Sequence, residues 1–253
     1  MKIKYAVILA MVMGSVSAFA IPALQVDIGG GTYDSGTETT VAASDSFDLF
    51  ALLIPDDAAR NVKNPLSGTY RVSAALFSDL GDIDELPLPT LGSFVFNGTE
   101  YDVAADMAWG TPPVEDPGKD LQTHGVFETY FKEFNVAFSG APQCLPYNVQ
   151  EQIGDPSAFP GSQMYYRSFG VDVSSLADHY GLHFDLYQVV TRTDSYGNTK
   201  TDRTTFAPFS HDAESGTGRT PPPPDRVPDG GSTLALLGLA LAGMGSFVRR
   251  PRG

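Results

Sequence analysis

The chain has 253 residues and a formal net charge of −14 at pH 7, with 16 Lys and Arg against 30 Asp and Glu. Setting aside the five basic residues and one acid of the two termini leaves about −18 on the region between. Such a surface repels nucleic acid and anionic lipid headgroups and suits cations, neutral glycans or simple solubility. The single cysteine, Cys144, excludes an intramolecular disulfide, so stability must come from a packed core or from bound metal.

At the N-terminus, Lys2 and Lys4 precede an apolar stretch from Tyr5 to Val12 and a small-residue approach that ends at Ala18 and Ala20. This is the order of a secretory signal peptide, with cleavage expected after Ala20. No cysteine follows the site, which argues against lipoprotein acylation.

Residues 21–214 read as one all-β domain, because the apolar period is two rather than 3.6. Leu24, Val26 and Ile28 alternate with Gln25 and Asp27, and Tyr70, Val72, Ala74 and Leu76 share a second stripe. Phe134, Val136 and Phe138, then Phe169, Val171 and Val173, then Leu182, Phe184 and Leu186 continue the pattern. Asn97-Gly98 between two such runs is a hairpin signal, since both residues tolerate positive φ. Gly, Pro, Asp and Ser punctuate the strands, so the expected fold is a single-domain antiparallel β-sandwich, jelly-roll or Ig-like. Short helices near residues 56–64 or 173–181 would not change that class. No solenoid or propeller repeat is present.

Several clusters invite a chemical reading. Asp79, Asp82, Asp84 and Glu85 supply the oxygen ligands that calcium takes, although they lack the register of an EF-hand loop and a solvated acidic loop is the commoner outcome. Calcium is the one cofactor the sequence nominates. His179 and His183 are four apart, but Gly181 and the alternation from Leu182 to Leu186 put His183 on a strand, which favours structural or surface roles over a zinc site. Ser210, His211, Asp212, Glu214 and Ser215 crowd one segment, whereas triad members come together from distant segments, so a structural turn is expected there. Cys144 reads as a small buried hydrophobe without a neighbouring base to activate it. Among the aromatics, Tyr101, Tyr165 and Tyr166 read as core or rim, and Trp109, beside a Pro and Gly loop, as the residue to stack on a sugar. The nucleophile-elbow, HExxH, P-loop and dinucleotide-binding patterns are all missing. A glycosidase pair could still be assembled by the fold, with carboxyl groups roughly 5 to 10 Å apart.

From Ser215 to Arg226 the chain is rich in Gly and Pro, and Pro221 to Pro224 favour an extended spacer. Thr233 to Val248 is then apolar or small throughout and is followed by Arg249, Arg250 and Arg252. The run is short for a helix that must cross a hydrocarbon core with about 20 residues. The arginines would stay cytoplasmic, leaving the domain outside.

The order Val227, Pro228, Asp229, Gly230, Gly231, Ser232, apolar helix, basic tail resembles the PEP-CTERM family of bacterial sorting signals, in a variant that departs from Val-Pro-Glu-Pro. That resemblance implies recognition and processing by a membrane-embedded exosortase in a Gram-negative bacterium, with inner-membrane tethering beforehand. An ordinary single-span anchor is the competing reading. The segments IPALQVDIGGGTYD, LGSFVFNGTEYDV, HGVFETYFKEF, HFDLYQVV and FAPFSHDAES are similar to the exported proteins grouped as choice-of-anchor N. This implies an extracellular domain joined to interchangeable anchors and lends no catalytic residues.

The expectation is an exported cell-surface or extracellular-matrix protein with a non-catalytic role in adhesion or glycan binding. Signal peptidase and exosortase would be its partners during export, and extracellular polysaccharide its ligand afterwards. A secreted carbohydrate-active enzyme on the same fold is the alternative.

Overall fold

The computed structural model describes residues 21–55, 66–80, 91–114, 120–151, 154–193 and 195–216. The signal peptide with Ala18 and Ala20, the helix expected near residues 56–64, the acids Asp82, Asp84 and Glu85, and the sorting motif from Val227 to Ser232 lie outside these residues.

Fourteen strands are found among the described residues. The first seven are β1 (Leu24–Ile28), β2 (Thr32–Asp34), β3 (Thr39–Val41), β4 (Ser46–Leu53), β5 (Thr69–Ser78), β6 (Ser93–Phe96) and β7 (Thr99–Asp102). A one-turn helix, α1 (Val103–Asp106), follows, capped by an Asp102 side chain that accepts from the Ala105 amide at 2.9 Å. The rest are β8 (Ala108–Gly110), β9 (Thr129–Val136), β10 (Gln143–Cys144), β11 (Met164–Asp172), β12 (Tyr180–Thr193), β13 (Thr199–Phe206) and β14 (Asp212–Glu214). Residues 173–179 form turns rather than the short helix considered for that stretch.

The strands make two sheets. One runs β1-β4-β11-β6-β7, with β10 beside β11, and the other runs β2-β3-β14-β12-β5-β9-β8, with β13 beside β12. Pairing is antiparallel except between β14 and β3. The interior stripes of the two sheets share one core: Val26, Leu49 and Phe94 from the first meet Val72, Leu182 and Phe184 from the second. Phe47 packs edge-on against Phe184 with ring centroids 6.1 Å apart, and Phe96 stacks on Phe134 at 3.8 Å, so the layers interdigitate as an all-β sandwich. The turn at Asn97 (φ 50°) and Gly98 (φ 79°) joins β6 to β7 as the dipeptide predicts.

Both outer faces are also covered, which period-two alternation alone does not announce. On β1 all five residues are buried. Gln25 spans the backbone of the covering segment, donating to the Tyr147 carbonyl and accepting from the Val149 amide, each at 3.0 Å. A second cluster of Phe50, Leu52, Cys144, Tyr147, Val149 and Met164 lies beneath that segment. Cys144 is fully buried there, and burial pushes its thiol up to about 11, which disfavours the thiolate. Over the other sheet, a 3-10 turn (Leu121–His124) and the residues after it cover Ala75, Phe131, Tyr187 and Val189. That second cover makes the candidate site.

Candidate metal centre and its cavity

On β12 the residues between the core positions Leu182, Phe184 and Leu186 are His183 and Asp185, and alternation sends both to the outer face. The antiparallel register pairs His183 with Glu214 and Phe184 with Ala213, so Asp185 falls beside Asp212 one step further on. On the other side, β5 offers the small residues Ala75 and Ser73 opposite His183 and Asp185. Over that low ground the 3-10 turn lowers His124. Asp120 caps the turn by accepting from the Gln122 amide, and Gly125 ends it in the left-handed region at φ 78°.

His124 Nδ1 reaches both acids, 3.0 Å from Asp185 Oδ1 and 3.1 Å from Asp212 Oδ2. His183 approaches from the opposite end. Its Nε2 lies 3.2 Å from Asp185 Oδ2, and its Nδ1 lies 3.0 Å from Glu214 Oε1. Asp185 and Asp212 each keep only 1% of their exposure. One ligand atom from each of His124, Asp185 and Asp212 lies within 4.8 Å of the other two, a grouping able to hold a metal ion.

The electrostatics follow from burial and mutual charge. Burial opposes charge on His124, yet the two carboxylates outweigh it and lift its pKa to about 9. His183 is likewise raised against its burial, chiefly by the charge of Asp185. Burial also works against an ionised Asp185, but the His183 charge and the close contact of both imidazoles hold it below the ordinary carboxylate range. Asp212 is pushed upward by burial and by the neighbouring Asp185. The pair therefore divides into a fixed anion and an acid that shares its charge with the imidazoles.

Beside the cluster opens a cavity of about 530 Å³, within the usual range for small-ligand sites. His124, His183 and Glu214 line it together with Thr39, Phe77 and Phe127, whereas Asp185 and Asp212 lie beneath. Phe127 is 60% exposed, and the exposed Phe209 ring stands edge-on to His124 with centroids 6.5 Å apart. Aromatic surface thus flanks an imidazole and acid floor.

The sequence-nominated residues distribute differently. His179 is separated from His183 by the strand and instead pairs with Asp79 at 3.0 Å, so Asp79 sits against an imidazole. Ser210 and His211 do not form a triad with Asp212. The His211 Nδ1 accepts from Ser210, its Nε2 donates to Asn148 at 2.9 Å, and burial pulls its pKa down to about 4. Asp212 and Glu214, read as parts of a turn, belong to the cluster, and Ser215 Oγ accepts from the Leu182 amide at 2.8 Å. Trp109 stays 45% exposed on the edge strand β8, packed edge-on against Tyr130. Tyr101 and Tyr165 pack on the main core and Tyr166 on the second cluster. His124 and Asp185 were missed. The one signal available was a histidine and an acid two residues apart on the polar side of an apolar strand.

A family model described as the VPDSG-CTERM motif matches residues 226–250, so the chain carries a PEP-CTERM-like C-terminal sorting signal. No curated protein and no solved structure gives a significant match. Among the described residues no helix is long and apolar enough to cross a membrane, and the apolar run from Thr233 to Val248 lies outside them.

Proposed function

We propose that the chain is an exported surface or matrix protein, of the kind that choice-of-anchor N proteins exemplify, whose sandwich binds extracellular polysaccharide without chemical turnover. The sorting tail supports the address, with signal peptidase and exosortase acting on the two ends during export from a Gram-negative cell. The observation that carries the binding role is the cavity itself, which exposed Phe127 lines together with His124, His183 and Glu214, while exposed Phe209 stands edge-on to His124 outside that lining. Aromatic rings present a face to the C–H side of a sugar, while the imidazoles and acid meet its hydroxyls.

The non-catalytic reading draws support from the placement of the acids. Glycosidase carboxyl groups stand roughly 5 Å apart or more and both face the substrate. Here the close pair, Asp185 and Asp212, is buried under the floor rather than lining the cavity.

A glycan array probed with the chain tests the proposal. Binding to a restricted set of saccharides, lost in Phe127→Ala with the saccharides left intact, is expected. Binding to none, or release of cleaved sugar, would reject it, and the second outcome would favour a carbohydrate-active enzyme.

A further inference from the structure

Asp212 Oδ1 is buried with no hydrogen-bond partner, and His183 Nε2 and Asp185 Oδ2, 3.2 Å apart as an ion pair, make no well-aligned hydrogen bond either. Buried polar atoms without partners are rare in native proteins, and each asks for a water or an ion. All three belong to the same site. Their surroundings are of one chemical type, imidazole nitrogen and carboxylate oxygen, which suits first-row divalent metals.

The spacing agrees. A tetrahedral ion with bonds of roughly 2.0 to 2.1 Å holds its ligand atoms about 3.3 Å from one another. His124 Nδ1 lies 3.0 Å from Asp185 Oδ1 and 3.1 Å from Asp212 Oδ2, and one ligand atom from each of the three residues falls within 4.8 Å of the others, whereas His183 Nε2, 3.2 Å from Asp185 Oδ2 and 3.7 Å from Asp212 Oδ2, stands outside that grouping. We propose that His124, Asp185 and Asp212 bind a divalent transition ion, with zinc the best fit to one imidazole and two carboxylates and water completing four-coordination.

Glu214 supports the site without touching the ion. By accepting from His183 Nδ1 at 3.0 Å it holds His183 Nε2 against the two ligating carboxylates, 3.2 Å from Asp185 and 3.7 Å from Asp212. His124 and His183 line the cavity, which gives the ion a route in from solvent. Calcium is the wrong ion here, because it takes six to eight oxygens and no imidazole. The site is therefore distinct from the acidic residues that follow Asp79 in sequence, and it stands whether or not the cavity binds a glycan.

The test is a titration of the full-length chain, stripped with a chelator, using Co²⁺ and then Zn²⁺. One equivalent of Co²⁺ should bind with the visible absorption of a four-coordinate nitrogen and oxygen site, and Zn²⁺ should displace it and raise the melting temperature. Affinity should fall at least about tenfold in Glu214→Gln, the loss typical of a supporting carboxylate, and binding should vanish in His124→Gln. Glu214 is partly exposed, so Glu214→Gln carries the test if His124→Gln fails to fold. No Co²⁺ binding, binding that both variants leave undiminished, or equal competition by Ca²⁺ would overturn the proposal. The first of these outcomes would identify the cluster as a proton-held network of ion pairs.

Discussion

The Tyr147 hydroxyl donates to Asp27 Oδ2 at 2.9 Å, joining the covering segment of one sheet to the outer face of its edge strand β1 across 120 residues of chain. Asp27 also accepts from the Ile28 amide at 2.8 Å. The carboxylate is 2% exposed, and no cation approaches it among the described ion pairs.

Burial, partly offset by those two hydrogen bonds, raises Asp27 from 3.8 to about 7. The folded state therefore binds the proton more tightly than the unfolded chain does. Its contribution to stability is full below pH 3.8 and is lost as pH rises through about 7. The gap corresponds to at most about 4 kcal/mol. Asn at this position can accept from the Ile28 amide and donate to the tyrosine oxygen. Asp27→Asn should thus flatten the decline in stability between about pH 4 and 7 and leave the variant more stable than the parent above it. Urea midpoints of both chains across that range measure the difference, and parallel curves would contradict the assignment.

The two positive-φ glycines on either side of β6, Gly92 and Gly98, should respond unequally to a methyl group. At Gly98, φ is +79° and a Cβ would meet nothing within 4 Å, so Gly98→Ala costs only the left-handed backbone, about 1 kcal/mol. At Gly92, φ is +85° and a Cβ would stand 2.2 Å from the Ser175 carbonyl oxygen. That carbonyl already accepts from the Ser93 amide, while Ala177 donates to Leu91, so the two segments cannot separate freely. Gly92→Ala should cost about 3 kcal/mol or more, combining backbone strain with overpacking. Equal losses in chemical unfolding would show that the close approach relaxes.

These positions mark what the residues revealed and what they hid. The interior stripes were legible because alternation is imposed by strand geometry, and Val26, Val72, Leu182 and Phe184 all face the shared core. The Asn97-Gly98 turn was legible for a local reason, positive φ at both residues. The burial of Gln25, Asp27, His183 and Asp185 was not, because it depends on segments more than fifty residues away that close over each outer face. Strand pairing also decided the site. Glu214 meets His183 only because β14 lies beside β12, and no local pattern encodes that adjacency.

The buried acids should also report on the balance of charge in the ion-free chain. Asp185 is contacted by both His124 and His183, so its removal leaves His124 with Asp212 alone and His183 with Glu214 and the more distant Asp212 in a low-dielectric interior. Breaking one member of a buried ion pair typically costs about 3 to 5 kcal/mol. In chelator, Asp185→Asn should approach the lower figure, since Asn keeps an oxygen for one imidazole. Glu214→Gln, with 23% of its side chain exposed, should cost about 1 kcal/mol. A reversed order would mean that Glu214, not Asp185, holds the cluster together.

The tail makes a prediction of its own, independent of the sandwich. A sorting signal is read and then processed, whereas an ordinary anchor remains in place, and the matched segment at residues 226–250 distinguishes the two by mass. The mature protein should begin at Ile21 and end near the motif, without the arginines at 249, 250 and 252. Exchanging Pro228 and Asp229 for alanine should leave the sandwich folded, because β14 ends at Glu214 and the proline spacer intervenes. The same exchange should retain the full tail in the membrane fraction. Intact-mass measurement of parent and variant decides the matter: a parent chain that still ends at Gly253 would make the tail an ordinary anchor, its short apolar run held by the basic residues behind it.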